Sequence, residues 1–123
     1  MSRRAAVVAT ENFETSLDAI EAFLADAGAL PAYRRLIDEL ENTVVANLER
    51  FPEIGRPFLD YESLSIEGRD RIARLSERGG TKIVREYLFG DYLILYAVIE
   101  KTVYLLSIKH HRQLSFALDR FWP

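Results

Sequence analysis

Three consecutive segments in the last third of the chain constrain its fold most. Each is rich in β-branched and aromatic residues, and two residues separate each from the next: Lys82–Phe89, Tyr92–Ile99 and Thr102–Lys109. This composition and spacing are typical of strands joined by tight turns. Gly90-Asp91 is a strong turn signal because glycine takes positive φ at little cost, and Glu100-Lys101 is a weaker one. The pattern predicts an antiparallel meander of three strands.

Helical periodicity dominates the chain before residue 52. Apolar residues recur three or four apart in two stretches, first Phe13, Leu17, Ile20, Phe23 and Leu24, then Tyr33, Leu36, Ile37, Leu40, Val44 and Leu48. This spacing predicts two amphipathic helices. Thr10 is the expected N-cap of the first and Gly28 its left-handed C-terminal residue, while the second begins near Pro31 and ends at Phe51. The short link between them predicts an antiparallel helical hairpin.

Three further elements complete the predicted fold. We expect Arg4–Ala9 to add a strand at a sheet edge, the polar stretch after Ser65 to form an exposed helix, and Gln113–Phe121 to form a short closing helix. The predicted fold class is α+β: a helical hairpin packed on a small antiparallel sheet, in the order β-α-α-β-β-β with a short C-terminal helix. With 123 residues, the chain has the size of a single domain, 1–123.

Composition and charge exclude several classes of protein. The chain has no cysteine and two histidines, so we expect neither a disulfide nor a metal or other cofactor. No apolar run approaches the roughly 18 residues of a membrane helix, and no signal peptide is recognisable, so we expect a cytoplasmic protein without membrane contact. The net charge of −3 argues against a general nucleic-acid-binding surface. Residues 80–123 nevertheless carry 6 basic and 4 acidic side chains.

The two-residue turns predict which strand residues share a face of the sheet. They pair Phe89 with Tyr92 and Ile99 with Thr102. Strict alternation then places Ile83, Arg85, Tyr87, Phe89, Tyr92, Ile94, Tyr96, Val98, Val103, Leu105, Ser107 and Lys109 on one face, and Lys82, Val84, Glu86, Leu88, Leu93, Leu95, Ala97, Ile99, Thr102, Tyr104, Leu106 and Ile108 on the other. Both faces are mostly apolar, so the hairpin covers one of them. The closing helix or a partner protein must cover the second.

Three strings of residues carry a family resemblance. They are Phe51-Pro52-Glu53-Ile54-Gly55-Arg56-Pro57, then Arg85-Glu86-Tyr87-Leu88-Phe89-Gly90-Asp91-Tyr92-Leu93-Ile94-Leu95-Tyr96, then Val103-Tyr104-Leu105-Leu106-Ser107-Ile108-Lys109-His110-His111-Arg112. In this order and spacing the chain resembles the RelE/ParE toxins of bacterial toxin–antitoxin pairs, except at residues 58–79. The resemblance implies a toxin that cuts messenger RNA at the ribosome or poisons DNA gyrase. It also implies a cognate antitoxin that wraps a disordered segment around the sheet.

The chain departs from the family pattern on the second strand of the meander. Many members have arginines where this chain has Leu93 and Ala97, and the RNA-cutting ones use the first of these arginines on phosphate. Leucine cannot stabilise the charge that develops on the phosphorus centre, which counts against RNA cleavage. The departure implies an apolar face for protein contact, formed by Leu93, Leu95, Ala97, Ile99 and Leu106 with Trp122 beside it. The other side of this strand would then pack on the hairpin.

The residues at the end of the last strand could also form a catalytic site. Metal-independent RNA cleavage needs a general base, a general acid and a cation near the phosphate, and the candidates are His110, His111, Lys109 and Arg112, with Arg85 on the first strand of the meander. The alternatives are that the strand end is a solvated terminus and that Arg85 pairs with Glu39 or Glu41 of the hairpin. Four tyrosines can likewise stack on bases or pack in the core: Tyr87, Tyr92, Tyr96 and Tyr104.

The preferred functional prediction is a ParE-like toxin that binds a protein target, of which DNA gyrase is the family's known example. Such a toxin is not an enzyme. The rival prediction is a ribosome-dependent mRNA endoribonuclease of the RelE kind, and a third is a chain that keeps only its antitoxin-binding role. All three imply a cognate antitoxin and a toxin–antitoxin hetero-oligomer.

Overall fold

The computed structural model describes residues 4–58 and 84–110. Its elements in chain order are β1 (Ala6–Ala9), α1 (Glu11–Asp26), α2 (Leu30–Glu39), a π-helical turn (Leu40–Val44), α3 (Val45–Arg50), β2 (Arg56–Pro57), β3 (Val84–Phe89), β4 (Tyr92–Ile99) and β5 (Thr102–His110). The strands form one sheet in the order β1-β5-β4-β3-β2. The predicted α+β fold is confirmed. The predicted helices after Ser65 and at 113–121 lie outside the described residues.

Both turns of the meander lie where the sequence predicts them. Phe89 pairs with Tyr92 and Ile99 with Thr102 in antiparallel register. Gly90 has a φ of +54°, and Glu100 has a φ of +58°. For a residue with a side chain the left-handed conformation costs about 1 kcal/mol, which explains why Glu100-Lys101 is the weaker turn signal.

A bulge in β5 changes the predicted division between the two faces. The register steps from Tyr96↔Leu105 to Leu95↔Ser107, so the intervening Leu106 has no partner on β4. After the bulge the alternation is shifted by one residue. The prediction placed Ile108 on the apolar face, and this is wrong. Ile108 packs in the core under the helices, while Ser107 and Lys109 stand opposite Leu95 and Leu93.

Helix α1 begins and ends as its sequence predicts. The Oγ1 atom of Thr10 accepts a hydrogen bond from the backbone N–H of Phe13 and donates one to the carbonyl oxygen of Leu105, which joins the start of the helix to β5. Gly28, beyond the other end, has a φ of +69°. The predicted stripe needs one correction, because Phe23 is 45% exposed. The buried position facing β5 is instead taken by Ser16.

The second helix of the hairpin runs from Leu30 to Arg50 through the π-helical turn. Its buried residues recur every four positions: Leu36, Leu40, Val44 and Leu48. In an α-helix with 3.6 residues per turn such a stripe drifts by about 40° at each step. The wider π turn, in which the N–H of Val45 donates to the carbonyl oxygen of Leu40, holds more residues and brings the stripe back toward the sheet.

The edge strands complete the sheet in two different ways. β1 pairs with β5 in parallel, which confirms the predicted edge strand. β2 was not predicted, because Arg56 and Pro57 lie in a stretch whose prolines and glycine are typical of a loop. It pairs antiparallel with β3, and its two residues stand opposite Glu86 and Arg85.

Two separate apolar clusters lie on the two sides of the sheet. The larger joins the helices to the helix-side face and contains Phe13, Ile20, Leu24, Leu36, Leu40, Val44, Leu48, Ile94, Tyr96, Val103, Leu105 and Ile108, with Tyr92 and Val98 packed against it. This confirms that Tyr92, Ile94, Tyr96 and Val98 of β4 face the hairpin. The smaller cluster, on the apolar face, contains Phe58, Val84, Leu95, Ala97, Ile99 and Leu106.

Candidate functional site

The apolar face is buried over most of its length and accessible near one end. Leu95, Ala97, Ile99 and Leu106 are each at most 8% exposed. Leu93 is half-buried and pairs across the sheet with Leu88, which is 58% exposed. Trp122 lies outside the described residues. The structure therefore brings together five of the six predicted partner-binding residues, with Leu93 and the exposed Leu88 at the end nearest the β3–β4 turn.

Phe58 is a member of this cluster that the sequence did not single out. It follows β2, its backbone N–H donates to the carbonyl oxygen of Val84 at 2.9 Å, and its side chain is 6% exposed. It packs with Val84, Leu95, Ala97, Ile99 and Leu106. Residues 58–79 fall outside the three strings that carry the family resemblance. The sequence signal that could have indicated Phe58 is that it is an aromatic residue directly after Pro57.

Lys109 is buried, with 2% of its surface exposed. Its Nζ donates to the Oγ of Ser107 at 3.0 Å, and that oxygen lies 3.2 Å from the Oγ of Ser16 on α1. Ser16 in turn donates to the backbone carbonyl of Asn12, whose side-chain amide donates to the carbonyl of Leu106. Burial lowers the pKa of Lys109 from 10.5 to about 8. Lys109 is thus shielded from solvent although it lies near the end of β5.

His110 ends β5 against an aromatic row. Its ring meets that of Tyr92 edge-on at a centroid distance of 5.2 Å, and Tyr92 stacks on Phe89 at 5.6 Å. Tyr87 continues the row, 6.2 Å from Phe89. The other two residues of the predicted catalytic string, His111 and Arg112, lie outside the described residues.

Arg85 has a structural position that differs from the predicted one. Its Nη1 donates to the backbone carbonyls of Glu53, at 3.2 Å, and Gly55, at 2.6 Å. The alternative of a pairing with Glu39 or Glu41 is not what the structure shows, because the loop before β2 supplies the acceptors. Arg85 fixes this loop to the sheet.

Gly55 is the second anchor of the same loop. Its backbone N–H donates to the hydroxyl of Tyr96 at 2.8 Å. A Cβ atom at this position would lie 2.5 Å from the carbonyl oxygen of Glu86 and 2.7 Å from the Tyr96 hydroxyl. Only glycine allows the loop to approach β3 and β4 so closely. Arg56 and Glu86 form an ion pair on the exposed side of this contact.

The tyrosines of the sheet pack in the two apolar clusters. The hydroxyl of Tyr87 accepts a hydrogen bond from the side-chain amide of Asn47 at 3.0 Å, which links the second helix to β3. Tyr96 is completely buried, and burial raises its pKa. Tyr92 packs against the helix-side cluster and Tyr104 against the smaller one. These contacts support the core-packing reading of the four residues over base stacking.

Other features of the described residues contribute no second site. Within residues 4–58 and 84–110, no group of three or more His, Asp or Glu side chains is placed to hold a metal ion. The helices described there are too short or too polar to cross a bilayer. A cleft of about 670 Å³ lies between the end of α3 and the β4–β5 turn, lined by Arg50, Phe51, Ile54 and Lys101 among others. It contains none of the candidate residues.

Comparison with known proteins decides the family. The sequence profile described as "ParE toxin of type II toxin-antitoxin system, parDE" matches residues 7–115. The chain belongs to the ParE toxin family. Comparison with curated proteins found no match.

A solved structure agrees with this ParE-family fold. The RelBE2 toxin–antitoxin complex from Mycobacterium tuberculosis contains a chain that is 16% identical, with a TM-score of 0.52. The alignment covers 89% of this chain and 94% of that one. At this identity the likeness shows a shared fold and nothing further.

Proposed function

We propose that this ParE-family toxin arrests growth by binding a protein target, with DNA gyrase as the first candidate, and that it does not act as an enzyme. The observation that carries the proposal is the apolar face. Its β4 residues Leu93, Leu95 and Ala97 have no cationic or hydrogen-bonding side chain, and its accessible end at Leu93 and Leu88 suits desolvated contact with a protein. Arg85, the remaining arginine of the meander, serves the fold through backbone carbonyls.

The proposal includes a cognate antitoxin. The apolar face consists of aliphatic side chains on antiparallel strands. Such a face suits an amphipathic segment that folds as it binds. We expect an adjacent short gene whose product has a DNA-binding N-terminal part and a disordered C-terminal part, and we expect a toxin–antitoxin hetero-oligomer in the cytoplasm. Co-expression of the neighbouring frame should yield a complex that co-purifies. Absence of any such partner would contradict this part of the proposal.

The target is tested with purified toxin in two assays run side by side. One measures supercoiling by DNA gyrase, and the other maps transcript ends in a reconstituted translation reaction. We expect supercoiling to be lost while transcripts stay intact. Leu93→Glu should abolish the inhibition because it places a charge on the apolar face, whereas Val8→Glu, on an exposed residue of β1, should leave it unchanged.

A second candidate, the ribosome-dependent endoribonuclease, is favoured by one observation. The bulge sets a register in which Lys109 of β5 pairs with Leu93 of β4. A lysine there can supply the cation that leucine lacks, with His110 as the neighbouring acid or base. Its burial argues against this role, because phosphate cannot reach an ammonium group that is 2% exposed. Cleavage within codons that is lost in His110→Ala would establish this candidate and refute gyrase binding.

A further inference from the structure

We infer that the cleft beside the β4–β5 turn is the surface through which two copies of this chain associate. The cleft has a volume of about 670 Å³ and lies between the end of α3 and this turn. It contains none of the residues of the apolar face. The inference therefore goes beyond the proposed function, and it can be tested without the target or the antitoxin.

The first argument is the apolar surface that the cleft exposes. Five of its lining residues are apolar: Ala5, Phe51, Pro52, Ile54 and Val98. Phe51 is 56% exposed and Ile54 is 49% exposed. Single exposed apolar side chains are ordinary on a protein surface, but neighbouring ones around a cleft mark a surface that binds a partner.

The second argument is that the loop carrying these two side chains is fixed before a partner binds. The backbone N–H of Ile54 donates to the carbonyl oxygen of Phe51 at 3.0 Å. At the next residue, Gly55, the carbonyl oxygen accepts a hydrogen bond from Arg85 and the N–H donates to the hydroxyl of Tyr96. A preformed surface loses little conformational entropy when it binds, which favours association.

The third argument is the charge around the cleft, and it identifies the partner. Two basic and two acidic side chains line the cleft, and all four are exposed: Arg50, Lys101, Glu53 and Glu100. None of them is in an ion pair within residues 4–58 and 84–110. A two-fold interface brings the same surface of each copy together, so this surface must match itself. Equal numbers of both signs allow this, whereas an acidic or a basic partner would be matched by a surface of one sign.

The size of the cleft indicates a weak dimer. Nine residues line it, whereas a stable interface includes roughly 20 to 30 residues of each partner. We therefore expect a reversible dimer that dissociates on dilution.

Sedimentation velocity of the purified full-length chain at increasing concentration provides the first test. The fraction of dimer should rise with concentration. Phe51→Ser should raise the dimer dissociation constant by about tenfold or more, because it removes an aromatic side chain from the contact. Phe23→Ser is the matched control, since it removes a phenylalanine of α1 that is 45% exposed and lies outside the cleft, and it should leave the dissociation constant unchanged. A natural chain that stays monomeric, or a Phe51→Ser variant that dimerises equally well, overturns the inference.

Charge reversal tests directly whether the surface matches itself. An acidic variant carries Arg50→Glu and Lys101→Glu, so that only acidic side chains surround the cleft. A basic variant carries Glu53→Lys and Glu100→Lys, so that only basic ones do. Each variant alone should be monomeric because its surface repels its copy, whereas an equal mixture should form a heterodimer about tenfold tighter than the natural dimer. Circular dichroism checks that both variants fold. If either variant dimerises alone like the natural chain, or if the mixture does not associate, the inference is wrong.

Two further variants separate the cleft from other modes of association. Adding Phe51→Ser to the acidic variant should weaken its binding to the basic variant, because the contact also needs the apolar side chain. Equal binding would mean that charge alone joins the two chains, and this result would refute the cleft as the interface. Leu93→Glu, on the apolar face, should leave the natural dimer unchanged. Loss of the dimer in this variant would assign self-association to the apolar face and overturn the inference.

Discussion

The buried Lys109 should make the stability of the protein depend on pH in a defined direction. Burial lowers the pKa of its ammonium group from 10.5 to about 8. Between these values the unfolded chain holds the proton and the folded chain has released it. The free energy of unfolding therefore rises with pH through this window, and the contribution is lost as pH falls through the folded value.

The magnitude follows from the size of the shift. A pKa unit corresponds to about 1.4 kcal/mol, so the full effect is about 3 kcal/mol, of which about 2 kcal/mol falls between pH 7 and 9.5. Above this range three tyrosines oppose it: Tyr33, Tyr92 and Tyr96. Burial raises their pKa values above 10, so the folded state retains their protons and loses stability as the pH rises further. Measurements should therefore end near pH 9.5.

Urea unfolding followed by circular dichroism at several pH values measures the effect. The natural protein should gain about 2 kcal/mol between pH 7 and 9.5, and Lys109→Met should abolish most of this gain because the substituted side chain does not titrate. Lys101→Met removes an exposed lysine from the β4–β5 turn and should leave the gain unchanged. The reasoning is refuted if Lys109→Met shows the same rise as the natural protein.

Three further substitutions test the anchors of the fold, each by urea unfolding at pH 7. Thr10→Ala should lower the free energy of unfolding by about 1 to 2 kcal/mol through loss of the helix cap, and Thr10→Ser should restore most of it. Gly55→Ala should cost about 2 kcal/mol because its Cβ would meet the Glu86 carbonyl, so an unchanged stability would contradict that contact. Arg85→Met should lower the free energy of unfolding by about 1 to 3 kcal/mol, whereas Arg56→Met, which removes an exposed ion pair, should lower it by less than about 1 kcal/mol. Equal losses in the two variants would refute the anchoring role of Arg85.

Local patterns predicted most of the fold because they specify local geometry. The two-residue turns between strands set the register that pairs Phe89 with Tyr92. Thr10 and Gly28 marked the limits of α1. The same reasoning placed Tyr96 on the side of the hairpin, once the resemblance had indicated which face is the functional one. The turns and the limits of α1 depend on residues close together in the chain, which is why local patterns were sufficient for them.

Features that depend on distant contacts were missed. No residue type or local pattern marks the bulge at Leu106. It lies where Asn12 and Ser16 of α1 form hydrogen bonds with β5, more than 90 positions away in the chain. Arg85 found its acceptors on backbone carbonyls, which no side-chain pattern reveals. Phe58 joined the apolar face through a two-residue strand that is too short to show any periodicity.

The bulge matters most for the choice between the two functions. With it, Lys109 stands opposite Leu93, beside the position where RNA-cutting relatives are expected to have arginine. A catalytic cation must reach phosphate, however, and this ammonium donates to Ser107 in a buried network that extends to α1. This burial and this hydrogen bond support protein binding over RNA cleavage.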